Sequence, residues 1–330
     1  MLAYFQAGDL QGLVDAVAGA QVPAGSPIYA GSYGPNAAAA GSINALPDGR
    51  YAPMFSIQPA TSRAAYRGRR LPADQAGRLD SAYAGEIPRE APSVPLAARD
   101  RRRWGRELGC RFRDSIRQAR TAGVDVETWQ FDELLREVAA GSSTEQRAYR
   151  DYTTGILEGL LTGRPELGDE PEQGIVWTAA WSLRRLPTLS IGSTPGLEEF
   201  WQALNNGALL YVGQEYAPFR GPPEAAARAW STGQRLLLRE GVVRPQLGRK
   251  YVVGMTPGFH SRFDILQGNV DGKPQAWVNS WRTRYVRARV AAARVAGFGQ
   301  FNFCEDNCTP ERMLGAVRAA AAGIQASRGG

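Results

Sequence analysis

The chain has 330 residues, 43% hydrophobic and 22% charged, which is enough apolar content to bury a sizeable core and too little charge for a disordered polymer. It carries a net charge of +7 and a pI near 9.5, yet its arginines are spread along helix faces rather than gathered around aromatic residues, which points away from a nucleic-acid partner. No run approaches the ~20 uninterrupted apolar residues of a membrane span, so no membrane partner is expected.

The opening segment, "MLAYFQAGDLQGLVDAVAGAQ", has an acidic residue within it and no basic region ahead of an apolar one, so no signal peptide is read there. The expectation is a cytoplasmic protein, or a secreted one whose leader is absent from this sequence. Short runs rich in Val, Ile, Tyr and Phe follow at "PIYAGSY", "YAPMFSI", "VDVETWQF", "GIVWTAAW", "GALLYVGQE", "KYVVGMT" and "GFGQFNF", giving seven predicted strands. Between "YAPMFSI" and the next periodic segment, Gln58 to Pro95 is rich in Pro, Gly and Arg without a sustained period and reads as a long loop or lid.

Helices are predicted between most strands. In the clearest, Trp104, Leu108, Phe112, Ile116 and Ala119 fall on one face and Gly123 supplies a left-handed stop. The arginines of "RDRRRWGRELGCRFRD" in that helix read as a solvated surface. Others span about Glu145 to Thr162, Pro195 to Leu204, Pro222 to Glu240, Gln275 to Val295 and Pro310 to Ile324. Thr309 before Pro310 is a hydroxyl cap followed by proline at the first helical position.

Strand and helix alternating over this length predict parallel strands joined by right-handed crossovers. An open doubly wound sheet and a closed (β/α)8 barrel both satisfy that. The absence of a glycine-rich phosphate cradle after any strand favours the barrel: one TIM-like (β/α)8 domain over residues 1–330, with the 58–95 loop after the second predicted strand and an eighth strand near "FDILQG" or "TLSIGS".

Strand ends are where a barrel collects its chemistry. Asp132 and Glu133 end one strand, and Glu215, preceded by Gly213 and Gln214, ends another. With period two, Glu127, Trp129, Phe131 and Glu133 share one face and Thr128, Gln130 and Asp132 the other, so one of the adjacent pair points into the pocket unless a bulge intervenes. A rival role for Asp132 is the N-cap of a helix beginning at "ELLREV". A salt bridge to an arginine is the rival role for Glu215.

Two carboxylates across a polar pocket are what glycoside hydrolysis needs, one protonating the leaving oxygen and the other attacking the anomeric carbon or activating water. In its alternation, its strand-end carboxylates and the amide-then-Glu order of "GQE", the sequence resembles the TIM-barrel glycoside hydrolases in general. The resemblance implies Glu215 with Glu133 or Asp132 as catalytic residues and a carbohydrate substrate. Tyr33, Asn36, Gln58, Trp181, Gln214, His260 and Asn302 lie at or beyond strand ends and are the expected sugar-binding residues, as aromatic faces suit C–H surfaces and amides suit hydroxyls. Trp177 is read as core.

No cofactor and no metal are expected. Cys110 reads as a small buried hydrophobe; Cys304 and Cys308 are spaced for a local disulfide and lack the partners of a zinc site. Two other classes stay open: a metal-dependent lyase or aldolase using Glu305 and Asp306, and a non-catalytic carbohydrate-binding barrel. No feature of the sequence specifies an oligomeric state.

Overall fold

The computed structural model describes residues 2–5, 10–33, 37–57, 98–124, 126, 128–134, 154–169, 174–178, 209–215, 221–239, 251–255, 273–301 and 310–328. In chain order these form β1 (Leu2–Phe5), α1 (Leu10–Gly19), β2 (Ile28–Tyr33), α2 (Ala37–Asn44), β3 (Tyr51–Ile57), α3 (Ala98–Thr121), β4 (Thr128–Leu134), α4 (154–162), β5 (Gly174–Thr178), β6 (Leu209–Gln214), α5 (Pro223–Arg239), β7 (Tyr251–Met255), α6 (Gln275–Ala292), β8 (Gly297–Phe301) and α7 (Pro310–Arg328).

All seven predicted strands are present. The strand that sequence reading missed is β1, "LAYF", which is short and sits in a segment read only for targeting signals. It pairs in parallel with both β2, through Leu2↔Ile28, and β8, through Leu2↔Phe298. "FDILQG" and "TLSIGS" lie outside the described residues, as do the Gln58–Pro95 segment and the helix expected at 195–204.

The chain divides into two compact units, one of residues 1–31, 45–52 and 212–330, the other of 32–44 and 53–211. In the first, parallel ladders run in the order β7-β8-β1-β2. In the second, the ladders join β3, β4 and β5. The single (β/α)8 domain expected from the sequence is corrected accordingly: the described ladders are a four-stranded and a three-stranded parallel sheet, each in its own unit. At this length one hydrophobic core stops growing and chains split.

In the first unit, Gly323 of α7 lets the helix lie against the sheet, since a Cβ there would fall 2.3 Å from the Phe298 ring. Phe298 therefore marks the helix-covered face, and strand alternation puts Tyr251 and Val253 on it too. Leu13, Ala16 and Val17 of α1 form a buried stripe at helical spacing. Ala316, Val317, Ala320 and Ile324 do the same on α7, and the two helices pack together.

In the second unit α3 and α4 touch backbone to backbone. A Cβ on Gly155 would meet Arg102 O at 2.0 Å, and one on Gly159 would meet Arg106 O at 2.2 Å. Leu108, Phe112, Ile116 and Ala119 are buried and Gly123 takes φ +83°, as the periodicity predicts. The arginines of α3 are more engaged than a solvated surface requires. Arg113, 3% exposed, donates to Leu160 O (3.0 Å) and Leu161 O (3.3 Å), and Arg106 donates to Gly163 O (2.8 Å). These cations thus meet the carbonyl-rich end of α4, where its dipole is negative. Arg102 pairs with Glu158 and Arg117 with Asp169. Among the described residues, no helix is long and apolar enough to cross a membrane.

Candidate functional site

Glu215 follows the last residue of β6 and is 2% exposed. Its backbone N–H donates to Gly213 O and to Gly254 O, both at 2.8 Å, which ties the strand end to β7. Its side chain belongs to the helix-covered side of the sheet. Arg289 of α6 grips the carboxylate with Nε at 3.1 and 3.0 Å from the two oxygens and Nη2 at 2.8 Å from Oε1. Tyr251 donates its hydroxyl to Oε1 at 2.8 Å, and Tyr285 donates to Oε2.

The helices are built to supply these groups. Trp281, Tyr285 and Arg289 recur every four residues on one stripe of α6, with the Trp281 and Tyr285 rings stacked at 5.5 Å. Ser231 and Gln234 of α5 complete the guanidinium shell: Nη1 donates to Ser231 Oγ at 3.0 Å and Nη2 to Gln234 Oε1 at 2.5 Å. Gln234 Nε2 in turn donates to Arg294 O at 2.9 Å. The Arg289 guanidinium also lies 5.3 Å from the Tyr251 ring centroid, within cation–π range.

Burial, the largest single influence, lowers the pKa of Arg289, but the charge and hydrogen bond of Glu215 together with Tyr251 and Tyr285 outweigh it and hold the guanidinium above its ordinary value. Burial, then the negative charge of Glu215, pushes the Tyr285 phenol well above its ordinary value of 10.0, so it stays a proton donor to the carboxylate. Both Glu215 oxygens are thus taken by a cation and two hydroxyls, with neither ion-pair side chain exposed. This geometry fits the rival role for Glu215, a salt bridge to an arginine in the helix layer.

The adjacent pair on β4 is different. Phe131 pairs with Val176 of β5 and the ladder resumes at Leu134↔Thr178, so Asp132 and Glu133 together stand opposite the single position Trp177. Two residues against one is a β-bulge. Alternation alone would send the pair to opposite faces; the bulge assigns both positions to the face of Gln130, which pairs with Ile175 of β5 and Ser56 of β3. β4 continues through Leu134, so Asp132 stands in a strand and not at the helix start of the rival reading.

Gln130 itself is fully buried, and neither Oε1 nor Nε2 has a hydrogen-bond partner among the described residues. Trp129 occupies the other face, where its ring covers Gly174 so closely that a Cβ would fall 2.3 Å from it. Sequence reading placed Gln130 on the strand but gave it no role. The signal available was a long amide in an otherwise apolar strand core.

Of the expected sugar-binding residues, Tyr33 ends β2 and Gln214 ends β6. Asn36, Gln58, Trp181, His260 and Asn302 lie outside the described residues, as do Cys304, Glu305, Asp306 and Cys308. Cys110 is a free, buried thiol, and burial pushes its pKa up from the ordinary 9.0. No protein-family model matches the chain, and no curated protein matches it in sequence.

Proposed function

We propose that the chain is a carbohydrate-active enzyme, a glycoside hydrolase that works from the C-terminal end of β4 with Asp132 and Glu133 as its carboxylates. The observation that carries this reading is the bulge, which gives two consecutive acidic positions to one face of the sheet. In this reading one of the two is the acid and the other the ionised partner, the division of roles that glycoside hydrolysis requires. The acid protonates the glycosidic oxygen; the ionised partner attacks the anomeric carbon or activates water. Glu215 has no part in this chemistry.

The test is turnover of a panel of 4-nitrophenyl glycosides by the wild type, Asp132→Asn and Glu133→Gln. The reading predicts release of nitrophenol by the wild type and a fall of at least ~100-fold in kcat for each variant, with folding intact. Turnover that survives both substitutions would end the hydrolase reading, and turnover abolished by a chelator would move the chain to the metal-dependent class.

A further inference from the structure

We propose that Gln130 is a ligand-binding residue at the floor of the β4 site, its amide taking a matched donor and acceptor from the ligand, such as two neighbouring sugar hydroxyls. The proposal rests on the carbohydrate reading for its ligand class, but its physical basis is separate. An amide can donate twice and accept twice, and burying one with none of these bonds made is unfavourable. Methionine is close to glutamine in length and would fill the same space without that cost. Gln130 nevertheless stands fully buried in the core of β4, unpartnered among the described residues. Two positions further on, the bulge puts Asp132 and Glu133 on its face. The fold itself leaves the donors and acceptor of this amide unsatisfied, and a polyol reaching it from the β4 strand end would supply the missing bonds.

Gln130→Met separates binding from folding. The variant should melt a few degrees above the wild type, because a bare amide has been removed, and should raise KM on any hydrolysed 4-nitrophenyl glycoside by roughly tenfold or more. In parallel, glucose, galactose, mannose and xylose at about 0.1 M each should raise the melting temperature of the wild type in at least one case, and not that of the variant. A lower melting temperature for Gln130→Met would overturn the proposal, because it would mean that the amide is satisfied within the fold. An unchanged KM would overturn it and leave the hydrolase reading standing. If the wild type hydrolyses nothing but its sugar-dependent stabilisation is lost in the variant, the hydrolase reading fails and the binding role holds. If no sugar stabilises the wild type and none is hydrolysed, the binding role fails as well.

Discussion

Arg289 Nη2 and Glu215 Oε1 meet at 2.8 Å with neither side chain exposed to solvent. The pair joins the end of β6 to the last turn of α6, and Tyr251, Tyr285, Ser231 and Gln234 fill its remaining hydrogen-bonding positions. A buried pair of this kind contributes little net stability over an apolar substitute, but it is costly to halve, because the surviving charge is left without compensation.

Glu215→Gln should therefore destabilise the first unit by about 3–5 kcal/mol, as should Arg289→Met. The double change Glu215→Leu with Arg289→Met should cost clearly less than the sum of the single changes. Urea denaturation of the four proteins checks this, and additive costs would show that the two side chains do not act as a pair.

The same network sets an alkaline limit. Tyr285 holds its proton to higher pH folded than unfolded, as do Tyr51 and Cys110, whose pKa values are raised mainly by burial from 10.0 and 9.0. Above those ordinary values the unfolded chain has lost protons that the folded chain keeps. Stability is therefore full below about pH 9 and falls as pH rises, by about 1.4 kcal/mol per pH unit for each group engaged. Urea midpoints measured from about pH 8 to 11 should decline, and the decline should be shallower in Tyr285→Phe. A flat profile would contradict the assignment.

Most of the described elements were legible in the sequence, but the single closed barrel read from their alternation was not borne out. Seven of the eight described strands announce themselves by β-branched and aromatic runs, and the α3 face by the spacing of Leu108, Phe112 and Ile116. β1 was not legible, since four residues give too short a window for any period. The phase of β6 was not legible either. Both of its alternating sets are apolar apart from the final Gln214 and Glu215, so only the fold decides that Glu215 meets helices. Its partner stands 74 residues further along the chain, and nothing local points to it. The bulge at Asp132 and Glu133 is set by pairing with β5, which a single strand's sequence does not encode.

The contact between α3 and α4 predicts opposite signs for chemically identical substitutions. Gly159→Ala would drive a Cβ to 2.2 Å from Arg106 O and 2.7 Å from Cys110 N. Both are backbone atoms that cannot rotate away, so a loss of about 1–3 kcal/mol is expected despite the better helix propensity of alanine. Gly233 in α5 has nothing among the described residues within 4 Å of its Cβ position, and Gly233→Ala should gain up to about 1 kcal/mol. Thermal unfolding of the two variants reads the contrast directly. Equal shifts would mean that the helices do not approach through their glycines.

In the proposed function Asp132 and Glu133 of β4 do the chemistry, and Glu215 after β6 belongs to the framework. The measurement that tests this most directly is kcat per folded molecule for Asp132→Asn, Glu133→Gln and Glu215→Gln on a 4-nitrophenyl glycoside that the wild type hydrolyses, each corrected by the folded fraction from the same sample. The prediction is a loss of at least ~100-fold for the two β4 variants at unchanged stability, and near-wild-type kcat in the folded fraction of a destabilised Glu215→Gln. A stable Glu215→Gln that has lost turnover, beside β4 variants that retain it, would contradict the account.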